Sequence, residues 1–167
     1  MTKVVVALSG GVDSSVAAAL LMEQGYDVVG VTMRLWSAPG CEEENRCCTP
    51  QTRELAAQLA EQLGIPFHIL DAQQAFRQAV VQRFLDGYSR GDTPNPCVYC
   101  NRYLKWDYLW QFAQSIGAEA IATGHYARLR RGTDGTYELW KGKDATKDQT
   151  YFLSLLTQQH LAHTLFP

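Results

Sequence analysis

Short apolar runs alternate with longer segments of helical period along most of the chain. The runs are rich in β-branched residues and are bounded by glycine or polar residues, which is typical of buried strands; they cover residues 3–8, 27–35, 66–70 and 120–123. The segments between them place apolar residues three or four positions apart and predict helices over residues 16–22, 49–63, 73–88 and 101–116. Strands that alternate with helices predict an open parallel sheet with right-handed crossovers and helices on both faces, a Rossmann-like α/β fold.

The last part of the chain departs from this alternation. Residues 127–131 and 137–140 flank an Asp134-Gly135 pair, which is a strong hairpin signal. Residues 148–165 are predicted to be helical, so a small hairpin and a C-terminal helix follow the sheet. The 167 residues are predicted to form one domain. Because ligands of open parallel sheets bind outside the carboxyl ends of the strands, Ser9, Met33 and the segment 123–125 are expected to share one site.

Composition adds three restrictions. The formal net charge of -2 argues against a protein coated in positive charge. No apolar run is long enough to span a membrane. Five cysteines, an odd number, favour a reducing, cytoplasmic compartment with reactive or metal-binding thiols over a secreted disulfide framework. Positive charge is nevertheless concentrated in one stretch, at Arg128, Arg130, Arg131, Lys141, Lys143 and Lys147. This stretch is either a basic binding face or a solvated hairpin without a partner.

The junction between the first strand and the first helix reads Ser-Gly-Gly-Val-Asp-Ser-Ser over residues 9–15. Glycines allow backbone N–H groups to approach an anion closely, and the first turn of the helix adds further N–H groups and the positive end of its dipole. The hydroxyls of Ser9, Ser14 and Ser15 can add donors. The junction therefore predicts a phosphate site that lacks the lysine of an ordinary P-loop. The alternative is a tight turn in which Asp13 or a serine caps the helix.

A second polar segment contains a C-x-x-C pair, Cys97 and Cys100, immediately before a predicted helix. A thiol at a helix N-terminus has a lowered pKa, and Arg102 and Lys105 would favour the anion further, so Cys100 is predicted to be a reactive thiolate. Two alternatives stay open. One is a structural zinc site completed by Cys41, Cys47 or Cys48, and the other is thioredoxin-like disulfide exchange.

The residue 9–15 motif resembles the signature of the PP-loop ATP pyrophosphatases, which cleave ATP to AMP and pyrophosphate while adenylating a carbonyl oxygen. Six ordered motifs narrow the resemblance to bacterial tRNA-specific 2-thiouridylases: ALSGGVDSS, VTM, RCCTP, TPNPCVYCN, ATGHYAR and KDQTYFL. The resemblance implies that ATP adenylates the C2 carbonyl oxygen of the wobble uridine U34 of tRNA, and that sulfur from a donor protein then displaces AMP.

Roles for individual residues also come from this resemblance alone. It assigns ATP binding to Ala7, Leu8, Ser9, Gly10, Gly11, Val12, Asp13, Ser14, Met33 and Gly124. It assigns organisation of Mg²⁺ to Asp13, catalysis to Cys100, and contact with the tRNA to Asn95, Pro96, Cys97, His125, Lys147, Asp148 and Gln149. It also makes Cys97 and Cys100 candidate ligands of an iron–sulfur cluster. The alternatives are that Met33 belongs to the core, that His125 is structural and that Asp148 caps the final helix.

The chain departs from the family in its length. Family members are longer, their second catalytic cysteine lies in a later part, and no cysteine follows Cys100 here. We therefore expect a truncated PP-loop domain whose residues 126–167 lead towards a tRNA-binding central domain. Alternative functions are a non-catalytic module that binds ATP and tRNA, another adenylating PP-loop ligase, and a redox or metal sensor built on Cys97 and Cys100.

Overall fold

The main sheet has five parallel strands in the order β3-β2-β1-β4-β7. A computed structural model describes residues 1–40 and 49–167, apart from the side chain of Ala145. The strands of the main sheet are β1 (Lys3–Ala7), β2 (Asp27–Arg34), β3 (Phe67–Asp71), β4 (Ala120–Ala122) and β7 (Thr164–Leu165). Strands β5 (Ala127–Arg131) and β6 (Tyr137–Lys141) form a separate antiparallel hairpin.

Five helices surround the sheet in the described part of the chain. They are α1 (Val12–Glu23), α2 (Pro50–Leu63), α3, α4 and α5 (Gln158–Ala162). Helix α3 runs without a break through Gln73–Phe76, Arg77–Val81 and Gln82–Ser89, and α4 through Pro96–Tyr99, Cys100–Tyr108 and Leu109–Ser115; the second segment of each is a wider π-type turn. Two 3₁₀ turns, Ala145–Lys147 and Thr150–Leu153, follow the hairpin.

Alternating side chains of the central strand divide the core into two layers. Val4 and Val6 pack with residues of α1 and α2, including Ala18 and Ala56. Val5 points to the opposite face, where the core is built from β2, α3 and α4: Val31, Met33, Val80, Leu104, Trp106 and Leu109. Because β1 is covered on both faces, its apolar run is continuous rather than alternating with polar residues.

Most of the predicted elements are confirmed within one or two residues. This holds for the first four strands, both strands of the hairpin and helices α2 and α3. Helix α2 shows why. The Thr49 side chain accepts a hydrogen bond from the Thr52 backbone N–H (3.1 Å), Pro50 occupies the first helical position, and Gly64 ends the helix with φ 67°. A cap, an N-terminal proline and a left-handed glycine are signals that can be read directly from sequence.

Two helices begin earlier than predicted. Helix α1 starts at Val12 rather than residue 16, because Gly11 has an extended backbone (φ -97°, ψ 161°) and serves as the N-cap. Helix α4 starts at Pro96 rather than residue 101, since the side chain of Asn95 caps it. The early start of α4 changes the setting of Cys100.

The predicted continuous helix over residues 148–165 is wrong. This segment forms the 3₁₀ turn Thr150–Leu153, the short helix α5 and the edge strand β7, which pairs in parallel with β4. Thr157 is the N-cap of α5, with its backbone N–H donating to the His160 Nδ1 (3.0 Å), and the Thr164 hydroxyl accepts a buried hydrogen bond from the Trp106 indole N–H (2.6 Å). A two-residue strand is too short to produce a periodic pattern.

In the part of the chain that the structure covers, no helix is both long and apolar enough to cross a membrane. The predictions for Cys41, Cys47, Cys48 and the RCCTP motif fall largely on residues outside the described ranges.

Candidate functional site

The turn after β1 has a backbone that only glycine fits. Gly10 has φ +75°, and a Cβ atom at this position would lie 2.5 Å from the backbone oxygen of Thr52 in α2. Gly11 then caps α1 without a side-chain hydrogen bond to the first-turn N–H groups. The turn is thus pressed against α2 and leads into a helix end whose donors can meet an anion.

The serines of this turn mainly hold its own backbone. The Ser14 hydroxyl is buried and donates to the Gly11 carbonyl oxygen (3.0 Å), and the Ser15 hydroxyl donates to the same oxygen (2.8 Å). The Ser9 backbone N–H donates to the Ser14 Oγ (3.2 Å). In this arrangement the hydroxyl protons of Ser14 and Ser15 are used within the turn, and their role as donors to a ligand stays a prediction. The candidate donors are the N–H groups of the first turn.

The carboxyl end of β4 closes on this turn through Gly124. A Cβ atom on Gly124 would lie 2.6 Å from the carbonyl carbon of Asp13 and 2.7 Å from the Ser14 nitrogen. The segment that follows β4 therefore lies directly against the turn that follows β1, at the carboxyl ends of these two paired strands. Of the other predicted ATP-site residues, Leu8 (2 % exposed) and Met33 (8 %) have their side chains in the core, while Val12 is exposed at 77 %.

Asp13 is joined to the loop after β4 by a tyrosine that sequence reasoning did not select. The Tyr126 hydroxyl donates to the Asp13 Oδ1 (2.9 Å). This hydrogen bond, and then the negative charge of Asp13, raise the pKa of Tyr126, while the nearby Lys147 opposes the shift. The phenol therefore remains a hydrogen-bond donor at neutral pH. Tyr126 directly follows Gly124 and His125 in a predicted motif, which is the signal that could have identified it.

The turn at residues 147–149 packs on the same tyrosine. The Tyr126 N–H donates to the Gln149 Oε1 (2.9 Å), the Gln149 N–H donates to the Tyr126 carbonyl (3.3 Å), and the Lys147 ammonium lies 5.2 Å from the ring centroid. Asp148 accepts hydrogen bonds from the hydroxyl and the backbone N–H of Thr150, and these bonds lower the pKa of its carboxyl. Asp148 therefore binds the first residue of the 3₁₀ turn Thr150–Leu153, whose N-cap is Gln149, and it does not cap a long helix.

The cysteine segment is placed differently from the prediction. Asn95 accepts a hydrogen bond from the Cys97 backbone N–H (2.9 Å), Pro96 begins α4, and Cys97 is exposed in the first helical turn. Cys100 is partly buried and lies in the second turn, so the prediction that it occupies the helix N-terminus is wrong. The dipole effect falls off within the first turn, and Cys97 receives more of it than Cys100 does. Neither of these two thiols is in a disulfide.

A buried amide attaches this helix to the region around Tyr126. Asn101 is 4 % exposed, and its side-chain nitrogen donates to the carbonyl oxygen of Phe152 in the Thr150–Leu153 turn (2.9 Å). The cysteine helix is therefore fixed to the turn that follows Lys147–Gln149 in the chain. Sequence reasoning missed Asn101, although an asparagine close to Leu104 on a buried helix face is an available signal.

His125 is held neutral. The ring is partly buried beside Trp106 (5.9 Å between ring centroids), and its Nδ1 is 2.7 Å from the Thr123 hydroxyl. Burial, and then the positive charge of Lys105, lower the pKa of His125 to about 3. A neutral imidazole supplies no positive charge to a phosphate. Any contact of His125 with RNA would be a hydrogen bond or a stacking interaction.

The hairpin presents a basic and aromatic face. Strand register places Arg128 opposite Trp140 and Arg130 opposite Glu138. The Arg130 guanidinium lies 4.2 Å from the Trp140 ring centroid, and the indole N–H donates to Glu138 (2.7 Å). Trp140 is 42 % exposed. The outer face of the hairpin is thus an ordered arrangement rather than a set of independent surface charges.

Side chains that could bind a metal ion are spread apart in the described part of the chain. Across residues 1–40 and 49–167, no group of three or more His, Cys, Asp or Glu side chains could hold a metal ion. Cys97 and Cys100 supply two thiols, whereas structural zinc and iron–sulfur sites usually use four ligands. The exposed carboxylate of Asp13 suits Mg²⁺, which is typically bound through one or two carboxylates together with substrate phosphates and water.

The parallel sheet and its glycine-rich strand-to-helix turn place the molecule in the Rossmann-like, PP-loop class of α/β folds. A family model described as "tRNA methyl transferase HUP domain" matches residues 2–167. The chain belongs to this family.

Curated relatives are similar over the whole chain. A tRNA-specific 2-thiouridylase of Geobacter metallireducens is 48% identical over 170 residues, and one of Clostridium perfringens is 51% identical over 167 residues. Each alignment covers 99% of this chain but 46% of the relative. The chain therefore spans less than half the length of these relatives.

Solved structures support the fold. A predicted subunit of tRNA methyltransferase from Methanocaldococcus jannaschii has a TM-score of 0.56 at 18% identity, over 100% of this chain and 68% of that one. A glutamine-dependent NAD+ synthetase from Acinetobacter baumannii has a TM-score of 0.50 at 18% identity, over 72% of this chain and 21% of that one. At this level of identity the likeness concerns the fold alone.

Proposed function

We propose that this chain is the ATP-binding part of a cytoplasmic enzyme that thiolates the wobble uridine of tRNA. The single observation that supports this most strongly is the direct contact between three segments at one end of the sheet. The glycine-rich turn meets Tyr126 through Asp13, and Tyr126 meets the turn at residues 147–149. An activating site and an RNA-binding surface would need this proximity, because the activated atom belongs to the RNA.

The residues of the glycine-rich turn fit ATP. A Cβ atom is sterically excluded at Gly10 and Gly124, and the first turn of α1 has N–H groups without a side-chain cap. These donors would stabilise the negative charge that develops on departing pyrophosphate. Asp13 would hold Mg²⁺, which supplies charge neutralisation at the phosphates when bound. Residues 7–14 and Gly124 line this site in the proposal, and Met33 acts through its backbone.

The cysteine segment would meet the target base. Asn95, Pro96 and Cys97 lie at the exposed start of α4, and a uridine must leave its stack to reach such a site. Cys100 would take part in delivering sulfur to C2 after the C2 oxygen has been adenylated. Sulfur itself would come from a donor protein. No step is assigned to an iron–sulfur cluster, because Cys97 and Cys100 alone provide two ligands.

The basic residues would bind the RNA backbone. Lys147 and the hairpin arginines lie on the chain segments that adjoin Tyr126, and Lys or Arg contacts with phosphates give RNA binding that weakens with salt. His125, Asp148 and Gln149 would act near this surface as neutral or positioning groups. The local positive charge explains how a chain with net charge -2 can bind a polyanion.

Product analysis tests the proposal. The chain, and the protein encoded by its complete reading frame, are incubated with Mg·ATP, unmodified tRNA and a persulfide donor. We expect tRNA-dependent AMP and pyrophosphate, and 2-thiouridine with the complete protein. ATP turnover that does not depend on tRNA would identify a different adenylating ligase. Binding of ATP and tRNA by the complete protein without formation of AMP would identify a non-catalytic module. Label transfer from S-adenosylmethionine would identify a methyl transferase.

Cys100→Ser separates thiolation from other adenylation chemistry. In the thiolation reaction this variant loses 2-thiouridine formation but still folds and binds ATP. In a ligase that acts on a small carboxylate or amide, the thiol has no part in the reaction, and turnover would be undiminished.

A further inference from the structure

We propose that Tyr126 is a positioning residue that couples RNA binding at the Lys147–Gln149 turn to the Asp13 carboxylate, so that RNA and Mg·ATP strengthen each other's binding. This inference rests on the proposed function, since it takes the two ligands from it. It adds a residue to which the family resemblance assigns no role.

The hydroxyl of Tyr126 holds the Asp13 carboxylate in place. The Tyr126 hydroxyl donates to the Asp13 Oδ1 at 2.9 Å across 113 positions of sequence. An ionised carboxylate has two oxygens and about four lone-pair sites, so this bond leaves Oδ2 able to face a cation. Asp13 is exposed in the first turn of α1. Without a partner its side chain would sample several rotamers, and Tyr126 selects one of them.

The backbone of Tyr126 is fixed to the turn at residues 147–149. Gln149 binds it from both sides, with its side-chain oxygen accepting from the Tyr126 N–H and its own N–H donating to the Tyr126 carbonyl. The same carbonyl would lie 3.1 Å from a Cβ atom on Gly142, so the end of the hairpin packs there as well. A displacement of the Lys147–Gln149 turn therefore moves Tyr126, and through its hydroxyl it moves the carboxylate.

Lys147 contacts the same tyrosine. Its ammonium lies 5.2 Å from the centroid of the Tyr126 ring. Lys147 thus touches the same ring whose hydroxyl holds Asp13. An RNA phosphate that binds Lys147 and orders the turn also orders the tyrosine. By linkage, whatever factor RNA adds to nucleotide affinity, the nucleotide must add to RNA affinity.

Tyr126→Phe tests this directly, because it removes the hydroxyl while keeping the ring, the contact with Lys147 and the backbone bonds to Gln149. Calorimetry measures the affinity of a non-hydrolysable Mg·ATP analogue with and without unmodified tRNA. In the wild type we expect tRNA to tighten analogue binding by about 5–10-fold, in the range of ordinary allosteric coupling. In Tyr126→Phe the coupling should fall below about 2-fold, with the affinity for tRNA alone unchanged.

Tyr88→Phe is the matched control. Tyr88 is an exposed tyrosine on α3 whose ring stacks on Phe84, a contact that phenylalanine preserves. This variant should keep the wild-type coupling. Gln149→Ala provides an independent test from the RNA side, since it removes the side-chain bond to the Tyr126 N–H and should lower the coupling between tRNA and the analogue below about 2-fold.

The outcomes separate the two proposals. If the wild type binds both ligands but independently, or if Tyr126→Phe retains full coupling, the role of Tyr126 is refuted and the proposed function stands. If the wild type binds neither ligand, the proposed function fails and this inference fails with it. Urea unfolding of every variant excludes a loss of folding as the cause.

Discussion

Gly124 lies so close to Asp13 that a single methyl group would not fit between them. A Cβ atom on Gly124 would be 2.6 Å from the carbonyl carbon of Asp13 and 2.7 Å from its carbonyl oxygen. These are backbone atoms of the first turn of α1, and they cannot rotate out of the way as a side chain would. The close approach is what brings the loop after β4 within hydrogen-bond distance of Asp13.

Gly124→Ala should therefore weaken nucleotide binding. The methyl group forces the first turn of α1 away from β4, and overpacking of this kind costs about 1–3 kcal/mol. We expect at least a tenfold loss in affinity for a Mg·ATP analogue, measured by calorimetry. Gly25→Ala is the control: Gly25 has φ +84° and no atom within 4 Å of an added Cβ, so alanine strains the backbone by about 1–2 kcal/mol without touching the site. Equal loss of affinity in both variants would contradict this explanation.

Thr164 tests the C-terminal strand. Its hydroxyl accepts a hydrogen bond from the Trp106 indole N–H (2.6 Å) and donates one to the His160 carbonyl (2.7 Å). The side chains of Thr164 and Trp106 are both buried. Thr164→Val has nearly the same shape but leaves the indole N–H without an acceptor. We expect a decrease of about 1–3 kcal/mol in the free energy of unfolding, measured by urea denaturation. Thr164→Ser keeps the hydroxyl and should lose less than about 1 kcal/mol; equal losses in the two variants would argue against the hydrogen bond.

The strands of the main sheet show which elements can be predicted from local sequence and which cannot. The strands around Val5 and Val29 are apolar throughout and lie between helices, so local composition is sufficient to predict them. Strand β7 depends instead on a tertiary contact between Trp106 and Thr164, which are 58 residues apart. A contact of that range leaves no local pattern.

The candidate site likewise combines a motif that can be predicted from local sequence with contacts that cannot. The glycine-rich turn is a local motif, and its backbone follows from Gly10 and Gly11. The contacts of Tyr126 with Asp13 and Gln149 are long-range. The predicted position of Cys100 is wrong for a local reason: Asn95 and Pro96 begin α4 five residues before the predicted start at residue 101.

His125 predicts a dependence of stability on pH. Its pKa is about 3 in the folded protein and about 6.5 in the unfolded chain, so the unfolded state binds more protons between these values. Stability is fully present above about pH 6.5 and is lost as pH falls towards 3. The contribution of this residue should decrease by roughly 2 kcal/mol between pH 7 and pH 5.

The comparison with His125→Gln measures that contribution. Urea denaturation at pH 7 and pH 5 gives the free energy of unfolding for both proteins, and the loss on acidification should be about 2 kcal/mol larger in the wild type. His160, whose pKa is also lowered by burial, is present in both proteins and cancels from the difference. If both proteins lose the same stability, His125 is not held neutral by the fold.

The hairpin predicts the salt dependence of RNA binding. Arg130 lies over Trp140 on the exposed face, where the guanidinium is pre-ordered and can still meet a phosphate. Each phosphate contact contributes about 0.7–0.9 to the slope of log K against log salt concentration. Arg130→Gln should reduce the slope for unmodified tRNA by about that amount, measured by filter binding between low and physiological salt.

Lys3→Gln removes the same charge at the opposite end of the sheet, where Lys3 contacts Asp27 and the Ile116 carbonyl, and should leave the slope unchanged. A slope that falls equally in both variants would mean that overall charge governs binding rather than the hairpin face.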